Sequence, residues 1–175
     1  YNWAMFNHED RLPSLSDKDV SIAFLPLSHV FERLWSYLCL YTGVEIVINL
    51  RPADIQQTVK EIKPTCMCSV PRFWEKVYIA VKEKLDSYPP VMLGIVAWAL
   101  AVGKKYNIDC LRKNIKPSAW LTLKYKLADK LIFSKVKRTI GIENGHIFPT
   151  AGAALSDHIA LFFRSIGIPI TYGYG

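Results

Sequence analysis

The chain has 175 residues, 51% of them hydrophobic and 21% charged, with 22 Lys and Arg against 15 Asp and Glu. That length suits one domain with a core of its own, and the apolar content excludes a disordered segment. Nine Gly and ten Pro exclude collagen-like sequence, and four cysteines without a C-x-x-C exclude a disulfide scaffold or a zinc staple.

The few scattered cysteines lead to the expectation of a reduced, cytoplasmic compartment, and no basic n-region or cleavage signal is read at Tyr1. Residues 1–11 read as the end of a helix and 12–19 as a polar loop. A mostly apolar run, 20–25, reads as a buried strand closed by Pro26. A helix is expected from about His29 to Tyr41, with Ser28 placed to cap it and Gly43 to end it. Residues 44–48 are β-branched and read as a second strand. Pro52 then opens a helix reaching about Lys63, residues 65–70 read as a third strand, and Pro71 starts a helix to about Ser87.

From 89 to 141 the pattern changes to helices alone, with candidates at 90–106 and 118–140. The apolar run from Val91 to Val102 is shorter than the roughly 20 residues of a membrane span and reads as a buried helix. Alternation then resumes with a strand at 145–150, a helix at 156–166 and a strand at 168–172, the two strands weakened by Pro149 and Pro169. The expected fold is α/β: a mostly parallel sheet of about five strands, helices on both faces, and a helical insertion at about 89–141 within one subdomain spanning 1–175. In such sheets ligands bind beyond the carboxyl ends of the strands. That rule selects four loops, 26–29, 70–72, 150–155 and 172–175.

Charge is concentrated. Residues 104–138 hold eleven Lys or Arg and two acids, Asp109 and Asp129. Such a stripe reads first as a solvated helical surface, with contact to phosphate-rich partners, peripheral membrane contact among them, as the alternative. No zinc finger, helix-turn-helix or RNA-recognition signature accompanies it, so no nucleic-acid partner is expected.

Two of the four loops are specific. Thr150-Ala151-Gly152-Ala153-Ala154-Leu155-Ser156, followed by Gly173-Tyr174-Gly175, resembles the adenylate-forming superfamily of acyl-CoA synthetases. Pro26-Leu27-Ser28-His29-Val30-Phe31-Glu32-Arg33 resembles a segment of the long-chain fatty-acid–CoA ligases, and Val70-Pro71-Arg72-Phe73-Trp74-Glu75-Lys76-Val77-Tyr78 resembles their next motif. The blocks from Trp98 to Gly103 and from Leu127 to Lys135 are similar too, so the resemblance covers essentially the whole chain. Ala151 stands where the family usually has Gly, and Ala154 where it often has Pro; both remain small.

The resemblance implies part of the N-terminal AMP-binding domain of a longer enzyme that uses a fatty acid, ATP, Mg²⁺ and CoA. A carboxylate attacks the α-phosphate of ATP to give an acyl-adenylate and pyrophosphate, and the thiol of CoA then displaces AMP. The family's phosphate loop is expected before Tyr1, and its Thr-Glu-Thr, later Asp and Arg, and catalytic Lys after Gly175. No catalytic residue and no metal ligand is therefore assigned within the chain, and the piece alone is expected to be inactive. A ligase that delivers to an acyl carrier protein, or a non-catalytic acyl- or nucleotide-binding α/β module, are the alternatives.

By the same resemblance, Gly152, Ala153, Ala154, Gly173, Tyr174 and Gly175 contact the nucleotide, with the Tyr174 ring on the adenine face. His29, Phe31, Thr150, Ala151 and Gly152 border the acyl pocket. A tight strand-to-helix turn is the plain structural role of 152–154, and a backbone-satisfied cap residue that of His29. Phe31 and Trp35 fit core or pocket wall equally. Glu32 and Arg33 read as an ion pair or surface charges, and Arg72 as a helix-start residue.

Overall fold

In the computed structural model the described residues are 15–172, and they fall into two units. The first unit comprises residues 15–69, 140–151 and 171–172. Strand β1 (Val20–Ala23) lies parallel to β2 (Glu45–Ile48), in a register that sets Val20 against Glu45 and Ala23 against Ile48. A parallel pair needs a crossover, and helix α1 (Val30–Thr42) supplies it. The helix ends at Gly43, whose φ of 79° lets its N–H reach the Cys39 and Leu40 carbonyls. At the other end the cap is His29, one residue later than the Ser28 expected from sequence.

Trp35, Cys39, Val44, Cys66, Cys68 and Ile147 form the core of this unit, with Leu25, Phe31 and Ile46 packed against it. The Trp35 indole N–H donates to the Ser21 hydroxyl at 2.9 Å, which pins α1 to β1 out of reach of water. A one-turn 3₁₀ segment, Pro52–Asp54, leads into α2 (Ile55–Ile62), which buries Ile55 and Val59. Strand β3 (Phe148–Thr150) pairs with β4 (Ile170–Tyr172), of which Thr171 and Tyr172 belong to this unit.

The expected α/β class holds, and among the described residues its regular strands form two two-stranded sheets in place of one sheet of about five strands. Residues 65–70, expected as the third strand, instead make isolated parallel bridges: Cys66 to Ser21 on one side, Cys66 to Ile147 and Ser69 to Thr150 on the other. Two side-chain facts account for the broken ladder. The Val20 N–H is taken by the Thr65 hydroxyl at 2.9 Å, and Pro149 has a carbonyl for the Ser69 N–H but no N–H to return. The same Thr65 donates to Asp19 at 2.7 Å, and His146 Nε2 meets that carboxylate at 2.6 Å.

The second unit, residues 70–139 and 152–170, is helical. It contains α3 (Pro71–Asp86), α4 (Pro90–Gly103), α5 (Ala119–Ala128) and α7 (Asp157–Ser165), with α6 (Ser134–Ile140) running to its boundary. Ser118 caps α5 by accepting the Leu121 N–H at 3.2 Å. Segments with π-type winding, Lys104–Cys110 and Asp129–Phe133, extend α4 and α5. Trp74, Phe133 and Phe163 are fully buried, and the Trp74 and Phe163 rings meet edge-on at 4.9 Å. Residues 89–139 thus fall with α3 and α7 in one helical unit. α4 is not the buried helix that its composition suggested, since Val91, Met92 and Leu93 are exposed while Val96, Ala99, Val102 and Gly103 face inward.

Two glycines of α4 separate packing from propensity. A Cβ at Gly103 would stand 2.2 Å from the Ser165 carbonyl oxygen, whereas one at Gly94 would meet nothing within 4 Å. Gly103→Ala is expected to lower unfolding stability by about 1–3 kcal/mol, the usual cost of overpacking. Gly94→Ala is expected to raise it by about 0.8–1 kcal/mol through helix propensity. Urea denaturation of both variants measures the difference in sign.

Candidate functional site

Beyond the carboxyl end of β1 the chain turns at Pro26, whose carbonyl accepts the His29 N–H at 2.9 Å. His29 Nδ1 then accepts the Phe31 N–H at 3.3 Å, satisfying one of the free donors that begin α1. Because Nδ1 is an acceptor, a neutral ring carries its proton on Nε2, and the side chain is exposed. The cap role therefore leaves the Nε2–H of that ring free to donate. Phe31 is half-buried against the unit's core, and Trp35 is a core residue.

Glu32 is the residue that sequence reading misplaced. It is fully buried and makes no ion pair with Arg33, which is exposed. Its carboxyl accepts the Leu25 N–H at 3.1 Å, the Cys68 thiol at 3.3 Å and the Ser36 hydroxyl at 3.4 Å. One side chain thus ties the loop after β1, helix α1 and the 65–69 segment together. Burial raises its pKa above the ordinary carboxylate range, opposed by the hydrogen bonds from Cys68, Leu25 and Ser36. The Cys68 thiol is pushed up in turn, first by burial and then by the Glu32 charge. The signal was available: Glu32, Trp35 and Cys39 recur at helical spacing, which sets the carboxylate on the apolar face.

At the end of β3, Thr150 is buried with its hydroxyl 2.9 Å from that of Ser69. The Ala151 N–H bonds to the Ser69 carbonyl at 3.2 Å, which fixes where the strand stops. In the helical unit, Gly152 has φ 94° and open space where a Cβ would be. Gly152, Ala153 and Ala154 are all exposed before Leu155 is buried, so this turn presents backbone with almost no side chain over it. Such a surface fits a flat ligand. Gly173, Tyr174 and Gly175 lie outside the described residues, and Arg72 is exposed. Among the described residues no group of three His, Cys, Asp or Glu could hold a metal ion.

The model of the family described as AMP-binding enzyme matches residues 1–175. The chain belongs to that family. A long-chain-fatty-acid–CoA ligase of Rattus norvegicus is 31% identical over 163 residues, covering 90% of this chain and 24% of its own length. Long chain acyl-CoA synthetase 3 of Arabidopsis thaliana is 31% identical over 165 residues, covering 92% of this chain and 23% of its own length. The chain therefore spans about a quarter of the length of these AMP-binding relatives. Among solved structures, the adenylation domain of a carboxylate reductase from Mycobacterium chelonae superposes with a TM-score of 0.63 at 18% identity, over 98% of this chain and 22% of that one. The corresponding domain from Segniliparus rugosus, in complex with AMP and a co-purified carboxylic acid, gives 0.59 at 18% identity over 99% of this chain and 24% of its own. The fold is that of AMP-binding adenylation domains, represented here by a mixed α/β portion.

Glu32 generates a pH prediction. Its carboxyl stays protonated in the folded chain at pH values where the unfolded chain, near 4.5, has released the proton. Stability is therefore full below that pH and falls as pH rises through the higher folded value. Glu32→Gln keeps an acceptor for the Leu25 N–H and carries no titrating proton. Chemical denaturation between pH 4 and 8 is expected to show this decline in the native chain and its loss in the variant.

Proposed function

We propose that the chain is a portion of a long-chain fatty-acid–CoA ligase, carrying the acyl pocket and adenine-facing turn of its large domain. The observation that supports this most is 31% identity to a long-chain-fatty-acid–CoA ligase across 90% of the chain. In the reaction, a fatty-acid carboxylate oxygen forms a bond to the α-phosphorus of ATP as the bond to pyrophosphate breaks. The sulfur of CoA then bonds to the acyl carbon, AMP leaves, and the thiol proton is released.

Each residue has a part in this reading. The exposed backbone of Gly152, Ala153 and Ala154 receives the edge of the adenine and the adenylate junction, and Tyr174 between Gly173 and Gly175 stacks on the base. His29 offers Nε2–H at the mouth of the acyl pocket, with Phe31, Thr150 and Ala151 as its wall. Glu32 is a positioning residue that holds the His29 loop. A cytoplasmic location suits four cysteines that are all free.

The chemistry demands that an anionic nucleophile approach an anionic phosphate, and loss of one preorganised donor costs roughly 10²–10³ in rate. A chain spanning about a quarter of its relatives is accordingly expected to lack turnover alone. Pyrophosphate release with ATP, Mg²⁺ and palmitate, measured on this chain and on the full-length enzyme that contains it, is the test. The full-length enzyme is expected to depend on the fatty acid, with the chain slower by at least a hundredfold, about the loss of one such donor. Release indifferent to fatty acid would overturn the substrate class; comparable rates would overturn the assignment of catalytic groups outside the chain.

A further inference from the structure

Two adjacent residues of the 65–69 segment hold two different elements of the first unit. The Cys68 thiol donates to Glu32 Oε2 at 3.3 Å, and the same oxygen accepts the Leu25 N–H at 3.1 Å. One carboxylate oxygen thus joins Cys68 to the loop that carries His29. Ser69 reaches β3 instead. Its hydroxyl lies 2.9 Å from that of Thr150, its N–H donates to the Pro149 carbonyl at 2.9 Å, and its carbonyl accepts the Ala151 N–H at 3.2 Å. Three consecutive residues at the end of β3 are therefore fixed to one serine.

These ties are dry. Cys68, Ser69 and Glu32 are 0% exposed and Thr150 1%, and all four belong to the same unit. A buried hydroxyl or carboxylate left without its partner carries a desolvation cost, which opposes the breaking of each tie. Between Cys68 and Ser69 stands a single peptide, planar and resistant to twisting. The Cα atoms on either side of such a bond are about 3.8 Å apart whatever the side chains do. Strands β1 and β3 do not pair with each other, so the link between their ends runs through this dipeptide.

We propose that Cys68 and Ser69 are positioning residues that set the width of the acyl pocket. Cys68 holds the wall of His29 and Phe31 through Glu32, and Ser69 holds the wall of Thr150 and Ala151 directly. The inference rests on the pocket assigned above and adds which residues fix its dimensions. Neither residue touches the acyl chain. Walls tied to one rigid peptide do not spread to admit a substituent beside the carboxylate, so the pocket favours a straight fatty acid over one branched at C3. Discrimination of this kind is worth as much as the walls are stiff.

The test uses the full-length enzyme that contains the chain. Ser69→Ala and Cys68→Ala are each expected to lower kcat/KM for palmitate about tenfold, short of the roughly hundredfold that a 1 Å misplacement costs, with KM for CoA unchanged. The preference for palmitate over its 3-methyl derivative is expected to narrow about fivefold in both, a ratio that a loss of stability alone does not move. Cys68→Ser keeps a donor for Glu32 and is expected to retain the native preference. In hydrogen exchange of the same enzyme, Ser69→Ala should speed exchange at the Ala151 N–H, and Cys68→Ala at the Leu25 N–H. Unchanged kcat/KM in the alanine variants, a lowered melting temperature with the preference intact, or an equal loss in Cys68→Ser overturns the proposal. Native turnover indifferent to fatty acid overturns the substrate reading and the pocket with it. Exchange unchanged at Ala151 and Leu25 overturns the two ties whatever the reaction.

Discussion

Cys66, Met67, Cys68 and Ser69 are shielded from solvent, so their backbone N–H and C=O groups have to find partners within the protein. They find them on two sides. Thr65 and Cys66 donate to the Val20 carbonyl, Met67 to Ile147, and Ser69 to Pro149, so the segment stands between β1 and β3 although it is no strand itself. The rest of the first unit hangs on this row. Its lower end is closed by the Asp19, Thr65 and His146 side chains, and its upper end by the Ser69 and Thr150 hydroxyls and the Glu32–Cys68 contact. Because the polar ties sit at the two ends and the apolar side chains between them, the strand-end loops start from fixed points.

That arrangement explains how one edge of the unit combines rigidity with access. Thr150 and Glu32 are buried and hydrogen-bonded, while His29 is open to solvent. Supporting groups are thereby held dry while the groups they support stay accessible. A binding group that is itself fixed pays little ordering entropy when the ligand arrives.

Local signals made much of the fold legible in the sequence. Gly43 ends α1 with a positive φ because only glycine enters that region at no cost, and Pro71 and Pro90 start helices where a missing N–H does no harm. What stayed hidden depended on partners distant in sequence. Residues 65–70 look like a strand because they are apolar and β-compatible, yet Pro149, some eighty positions away, determines whether a ladder can close. In the same way, hydropathy identified α4 as apolar without revealing which neighbours would leave half of it uncovered. The strand-end turns were readable because small residues there serve the backbone itself. The spacing of Glu32 with Trp35 and Cys39 puts it on the apolar face, but its partners Leu25 and Cys68 were not readable from that spacing.

The environment of the thiols has a practical consequence. A thiol reacts as its thiolate, and Cys66 and Cys68 are driven strongly away from ionising, Cys66 chiefly by its contact with Cys39 and by burial, Cys68 chiefly by burial. Cys39 is enclosed with them, which leaves Cys110 as the single cysteine with a solvent-accessible surface. Alkylating reagents applied to the native chain would thus label one position without mutagenesis. A fluorophore or spin label attached there would sit on the π-wound segment after α4 and report directly on the motions of the helical unit.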